Sequence, residues 1–187
     1  MSTYTAFAHT RRIASGPLAI VVGQAKSLLD SDPYTAPMIY DDATGRPVDI
    51  DYRGTTAEVL ARLPAAEPPA RRGPGRPKLG VVAREVTLLP RHWEWLARQP
   101  GGASVALRRL VETASREGAP AERVRTAREA VDRIMLDLGG DLPGYEEASR
   151  AFHRHEPERF AALIEDWPAD VRDYVRALAA RATGDET

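Results

Sequence analysis

"REVTLLPRHWEWLARQPGGASVALRRLVETA" occupies Arg84–Ala114, and its own punctuation divides it into three pieces. β-Favouring residues run up to Leu89, where Pro90 stops the strand and opens the helix "RHWEWLARQ". Pro100, Gly101 and Gly102 end that helix. Ser104 then has the side chain of an N-cap for "VALRRLVETASREG", in which Leu107, Leu110, Val111 and Ala114 recur at i, i+3, i+4 and i+7. Trp93 and Trp95 stand two positions apart, so at most one belongs to the core stripe and the other faces a neighbouring domain or subunit. One strand and two short helices cannot enclose a core, so a second copy of the chain is the expected completion.

The residues just upstream have a different character. Pro64–Lys78, "PAAEPPARRGPGRPK", holds five prolines, two glycines and no large apolar residue, and reads as a basic linker that cannot bury enough surface to offset its ordering entropy. Charge separates along the chain in the same way. Residues 1–70 carry 6 Lys/Arg against 8 Asp/Glu, 71–125 carry 12 against 5, and 126–187 carry 8 against 14. A basic middle between acidic flanks points to an anionic partner for the middle, despite a net charge of only -1.

The strand, the helix-turn-helix order, Leu89-Pro90, Gly102, Ser104, Arg108 and Leu110 together resemble the ribbon-helix-helix family of DNA-binding proteins. That resemblance implies a homodimer whose paired strands enter the major groove, with the start of the second helix against a phosphate. It also implies that Arg84 and Thr87 read DNA from the ribbon and that Ser104 contacts phosphate. The register is open. With Leu89 inward, Arg84, Val86 and Leu88 face outward; in the other register Ala83, Glu85 and Thr87 do, and the Glu85 carboxylate is repelled by phosphate. "RRGPGRPK" is similar to an AT-hook through Gly75-Arg76-Pro77-Lys78, although Pro74 stands where that motif has an arginine. The likeness implies minor-groove or phosphate contacts from Arg71, Arg72, Arg76 and Lys78.

Both flanks have regular patterns. "TYTAFA" and "RRIASG" predict a hairpin, Leu18, Val21, Val22, Ala25, Leu28 and Leu29 a helix stripe, and "PMIYDDATGRPVDIDYRG" a second hairpin turning on Asp41, Asp42 and Gly45. Thr55 or Thr56 is placed to cap "AEVLARL". The order ββα ββα predicts an antiparallel sheet with helices on one face. After Pro120, "ERVRTAREAVDRIMLDL" sets Val124, Ala127, Val131, Ile134 and Leu138 on one helix face, and further helices start near Pro143, Pro157 and Pro168. The fold class expected is therefore α+β: a small antiparallel sheet with helices in 1–63, a linker in 64–78, a ribbon-helix-helix-like centre in 79–118, and an all-helical part in 119–187. The chain as a whole, including the tail "DLPGYEEASRAF…WPADVRDY", resembles an uncharacterised bacterial domain-of-unknown-function family, and that likeness implies no activity.

Several chemistries find no support in the sequence. There is no cysteine, which excludes thiolate nucleophiles, thiolate metal sites and disulfides. No nucleophile elbow, Walker loop, dinucleotide fingerprint or zincin motif occurs, so neither an enzyme nor a bound cofactor is expected. No apolar run approaches the roughly 20 residues that span a bilayer, and a cytoplasmic protein with no membrane contact is expected. His153 and His155 are spaced wrongly for joint metal ligation on a helix, and Asp41, Asp42, Asp49 and Asp51 read as turn and surface acids, so no metal site is expected. The expected function is a homodimeric DNA-binding protein, of the kind that serves as a transcriptional regulator, with double-stranded DNA as partner. The alternative is a homodimeric protein-protein adaptor that does not bind DNA.

Overall fold

The structure, a computed structural model, describes residues 3–64 and 82–183. β1 (Tyr4–Ala8) and β2 (Arg11–Gly16) form the first hairpin, followed by α1 (Leu18–Ser31), β3 (Pro37–Asp41), β4 (Pro47–Val48) and α2 (Thr56–Arg62). The strands make one antiparallel sheet in the order β2-β1-β3-β4. The predicted ββα ββα order is present. A bulge between Ala6 and Phe7 leaves Ile13 of β2 unpaired, because Ala6 faces Ala14 while Phe7 faces Arg12.

The side-chain period of two sends alternate residues to opposite faces of this sheet. Ala6, Ala14 and Ile39 pack with Val21, Val22 and Ala25 of α1 and Val59 of α2. α2 is fixed by Thr55, whose hydroxyl accepts from the Glu58 backbone N–H at 3.3 Å while the Glu58 carboxylate accepts from the Thr55 N–H at 2.7 Å. This is the reciprocal capping box, and of the two candidate caps it selects Thr55. Thr55→Ala should lower unfolding free energy by about 1 kcal/mol, read from urea titration; an unchanged midpoint would mean that α2 needs no cap.

The other sheet face departs from the expectation of helices on one side only. Phe7 and Tyr40 point away from α1 and join a core built by Val131, Ile134 and Met135 with residues of three further helices. These are α5 (Tyr145–His153), α6 (Pro157–Leu163) and α7 (Ala169–Thr183), which begin near the three prolines as predicted. Their apolar spacing in the sequence is Tyr145, Ala148 and Phe152, then Phe160, Leu163, Ile164 and Trp167, then Val171, Tyr174, Val175 and Leu178; all of these are buried except Tyr145 and Leu163, which are partly buried against the same core. Polar contacts join the same layers. The Tyr174 hydroxyl donates to Asp42 Oδ1 at 2.8 Å, the Arg12 backbone N–H to Asp170 Oδ2 at 2.9 Å, and Arg133 Nη1 to the Thr44 carbonyl at 2.6 Å. Burial, then the Asp42 carboxylate, pushes the Tyr174 phenol well above its ordinary value, so it remains a donor.

By its contacts the chain divides into two compact units, Met1–Leu63 with Ala121–Thr187, and Pro64–Pro120. The two acidic flanks, expected from the sequence as separate domains, thus share a core. The reason is the sheet: its second apolar face needs a cover, and strands of a few residues do not specify which later segment provides it.

The second unit contains α3 (Pro90–Ala97) and the first part of α4 (Gly102–Gly139). Two expectations for this region change. α4 starts at Gly102, so Ser104 lies inside the first turn rather than capping it, and the reversal is made by Gly101 and Gly102 at φ +82° and +75°. The helix expected to end at Gly118 continues through Pro120. Proline removes the N–H that would bond the Arg116 carbonyl, but Pro120 and Arg116 are both exposed and water can satisfy that carbonyl. No helix among the described residues is long and apolar enough to cross a membrane.

Candidate functional site

The predicted DNA-contacting residues fall into two groups. Arg71, Arg72, Arg76 and Lys78, with the rest of the basic arm, lie outside the described residues. Arg84, Thr87 and Ser104 are described and all three are exposed. Val82–Leu89, the described part of the predicted strand, forms no strand with any described residue. A strand exists only through its pairing, and the partner expected for this one is another chain.

The second unit, which contains these three residues, exposes many large apolar side chains. Within the second unit Leu96 and Ala106 are the buried core residues among those described. Val82 is 72% exposed, Val86 53% and Val111 66%, and Leu89, Trp93, Trp95, Val105 and Leu110 are also exposed. Neither tryptophan is buried, although their spacing allows one in the core. The predicted stripe of α4 is likewise open at Leu110 and Val111, with Leu107 only half-buried. Arginines 84, 91, 98, 108, 109 and 116 intersperse these side chains, so the unit combines positive charge with uncovered apolar surface.

Of the acids and histidines weighed in the sequence, Asp41, Asp42, Asp51, His153 and His155 have identifiable partners, and Asp49 is exposed. Asp41 Oδ1 accepts from the backbone N–H groups of Ala43 and Thr44 at 2.9 and 3.0 Å, closing the β3–β4 turn. Asp42 is buried beneath Tyr174. Asp51 is paired with Arg53 at 2.8 Å and with Arg62 at 3.6 Å, and hydrogen bonds from Arg53 hold its carboxyl well below the usual range. His153 Nε2 lies 3.1 Å from Asp132 Oδ1, while His155 meets Arg128 instead. No group of three or more acid or histidine residues that could hold a metal occurs among the described residues.

A feature with no sequence forewarning lies among the helices of the first unit. Arg128, Phe152, His155, Phe160, Arg176 and Ala180, with their neighbours, enclose a groove of about 430 Å³. Its apolar floor comes from α5, α6 and α7, and Arg128 of α4 stands on its lining with Nη2 at 3.0 Å from His155 Nε2 and 3.3 Å from Nδ1. Helical periodicity marks Phe152 and Phe160 as inward but cannot show that space remains beside them.

The fold and surfaces define a small α+β protein in which an antiparallel sheet with flanking helices is followed by an all-helical region, with a basic, apolar-rich unit between them in sequence. The chain belongs to DUF2239, a family described as an uncharacterized protein conserved in bacteria, whose model matches residues 3–179. Comparisons with curated proteins and with solved structures returned no match.

Proposed function

We propose that the protein is a homodimer that binds double-stranded DNA, with 79–118 as the pairing module and the arm around Arg71, Arg72, Arg76 and Lys78 as the source of phosphate or minor-groove contacts. The observation that carries this reading is the uncovered apolar surface of Val82, Val86, Leu89, Trp93, Trp95 and Val111 inside the most basic third of the chain. Large apolar side chains left exposed in this number are buried by association, and pairing 82–89 with the same segment of a second copy also satisfies its backbone groups. A dimer carries two basic arms, doubling the charge offered to a polyanion. Arg84 and Thr87 are the ribbon residues and Ser104 the helix-start residue assigned to DNA in this reading.

One observation favours the adaptor instead: the extended segment exposes Glu85 beside Thr87, and a carboxylate there opposes phosphate. The two readings separate in one experiment. Fluorescence anisotropy with mixed-sequence duplexes at several salt concentrations, alongside light scattering for mass, should give a dimer whose DNA affinity falls linearly in log-log form. An Arg71/Arg72/Arg76 triple alanine variant should remain dimeric and reduce the salt slope by about 3 or more, because each phosphate neutralised by a basic side chain adds about 0.9 to it. A dimer with no DNA binding at about 50 mM salt would leave 79–118 as a dimerisation module and turn the search to protein partners, and a monomer would remove both readings.

A further inference from the structure

We infer that the groove between α5, α6 and α7 is a binding site for a small organic carboxylate with an apolar body, its charge held by Arg128. The volume, about 430 Å³, lies within the ~300–1,000 Å³ range of small-molecule sites, and the lining has their composition: Phe152, Pro157, Phe160, Ala161 and Ala180 around a few polar groups.

The charge of the ligand follows from the state of the ionised groups. Arg176 is engaged by Glu165 and by the Ala161 carbonyl, and Glu156 is held by Arg159 at 3.1 Å. Thr183 donates its hydroxyl to the Ala179 and Ala180 carbonyls. The carboxylates nearest to Arg128 along its helix are also taken, Glu129 by Arg133 at 2.9 Å and Asp132 by His153 at 3.1 Å. Arg128 is left with an imidazole and no carboxylate among the described residues. A guanidinium offers five donors in a planar fork that fits a carboxylate with two parallel bonds, and an imidazole nitrogen uses only one of them.

The backbone at His155 gives a second, independent observation. α5 ends in a Schellman motif, with the Glu156 N–H on the Ala151 carbonyl at 3.0 Å and the His155 N–H on the Phe152 carbonyl at 3.1 Å. His155 therefore occupies the left-handed position, φ +58°, where glycine is the usual residue. The motif itself has no use for an imidazole, and here the imidazole lies on the groove lining beside Arg128. Non-glycine residues in this conformation cluster at ligand-binding and active sites.

Carboxylate binding in this groove is independent of DNA binding, and its test involves no DNA. Titration calorimetry on the full chain uses octanoate as probe, with acetate for the charge alone and octanol for the apolar body alone. Octanoate should bind, and acetate and octanol should each bind at least about tenfold more weakly. Arg128→Gln should weaken octanoate by about tenfold to a hundredfold, the loss expected for a charge-assisted hydrogen bond, and Arg128→Lys should recover part of it. Ala180→Phe, at an exposed helix position on the lining, should block the groove with unchanged circular dichroism. His155→Gly should keep the fold and weaken octanoate. No octanoate binding by the wild-type chain, or affinity unchanged in Arg128→Gln or in Ala180→Phe, would overturn the assignment.

Discussion

Phe7→Ala is expected to lower the unfolding free energy by about 3–5 kcal/mol, the range for removing a fully buried aromatic ring. Phe7 has no exposed surface and lies between two tyrosines, its ring centroid 5.3 Å from that of Tyr174 and 6.5 Å from that of Tyr40. The site cannot collapse easily to fill the void. Tyr40 is held in the ladder opposite Thr5, and Tyr174 is pinned by its bond to buried Asp42. The upper part of the range is therefore the expectation. Because the ring joins residues of 1–63 to residues of 121–183, the loss should appear as one earlier cooperative transition for both segments. Urea titration followed by far-ultraviolet circular dichroism measures it. A decrease under about 1 kcal/mol, or two separate transitions, would mean that the sheet and the C-terminal helices fold independently.

That shared core marks the boundary of what the sequence makes legible. Each element of the first unit is visible locally, because short-range signals specify it: proline at helix starts, Thr55 with Glu58, and the Asp41–Gly45 turn. The C-terminal stripes are legible for the same reason, since period 3.6 over two or more turns is a strong pattern. What covers Phe7 and Tyr40 is not local. β1 and β3 give that core Phe7 and Tyr40, and any apolar stripe further along the chain would satisfy two such side chains. The centre differs from expectation where local signals are weakest: Ser104 is a good capping residue, yet Gly101 and Gly102 reverse the chain first, and Pro120 sits in a helix exposed enough to tolerate it. Of the candidate sites, the basic arm is legible as composition alone. The groove beside Arg128 is legible in no part, because a cavity is defined by what several helices leave unfilled.

Gly45→Ala should destabilise by about 2–4 kcal/mol, well beyond an ordinary turn glycine, because backbone strain and steric overlap act together. At φ +64° a Cβ already meets the backbone, and at Gly45 it would also lie 2.5 Å from the Ala130 carbonyl oxygen and 2.7 Å from the Ala130 Cα. Those are main-chain atoms in the middle of α4, so no rotamer change relieves the contact. The turn cannot withdraw freely either, because the Gly45 N–H bonds the Asp41 carbonyl at 2.8 Å and Arg133 holds the Thr44 carbonyl at 2.6 Å. Gly144→Ala separates the two effects. Gly144 has a similar φ of +75°, but its nearest neighbour to an added Cβ is the Leu163 carbonyl oxygen at an ordinary 3.5 Å. It should therefore show the conformational penalty alone, about 1 kcal/mol. The difference between the variants in urea titration measures how tightly the β3–β4 turn is pressed against α4. Equal destabilisation would mean that the turn is not seated on the helix; a larger effect at Gly45 would tie residues 41–48 to 129–133 through backbone contact, independently of the aromatic core around Phe7.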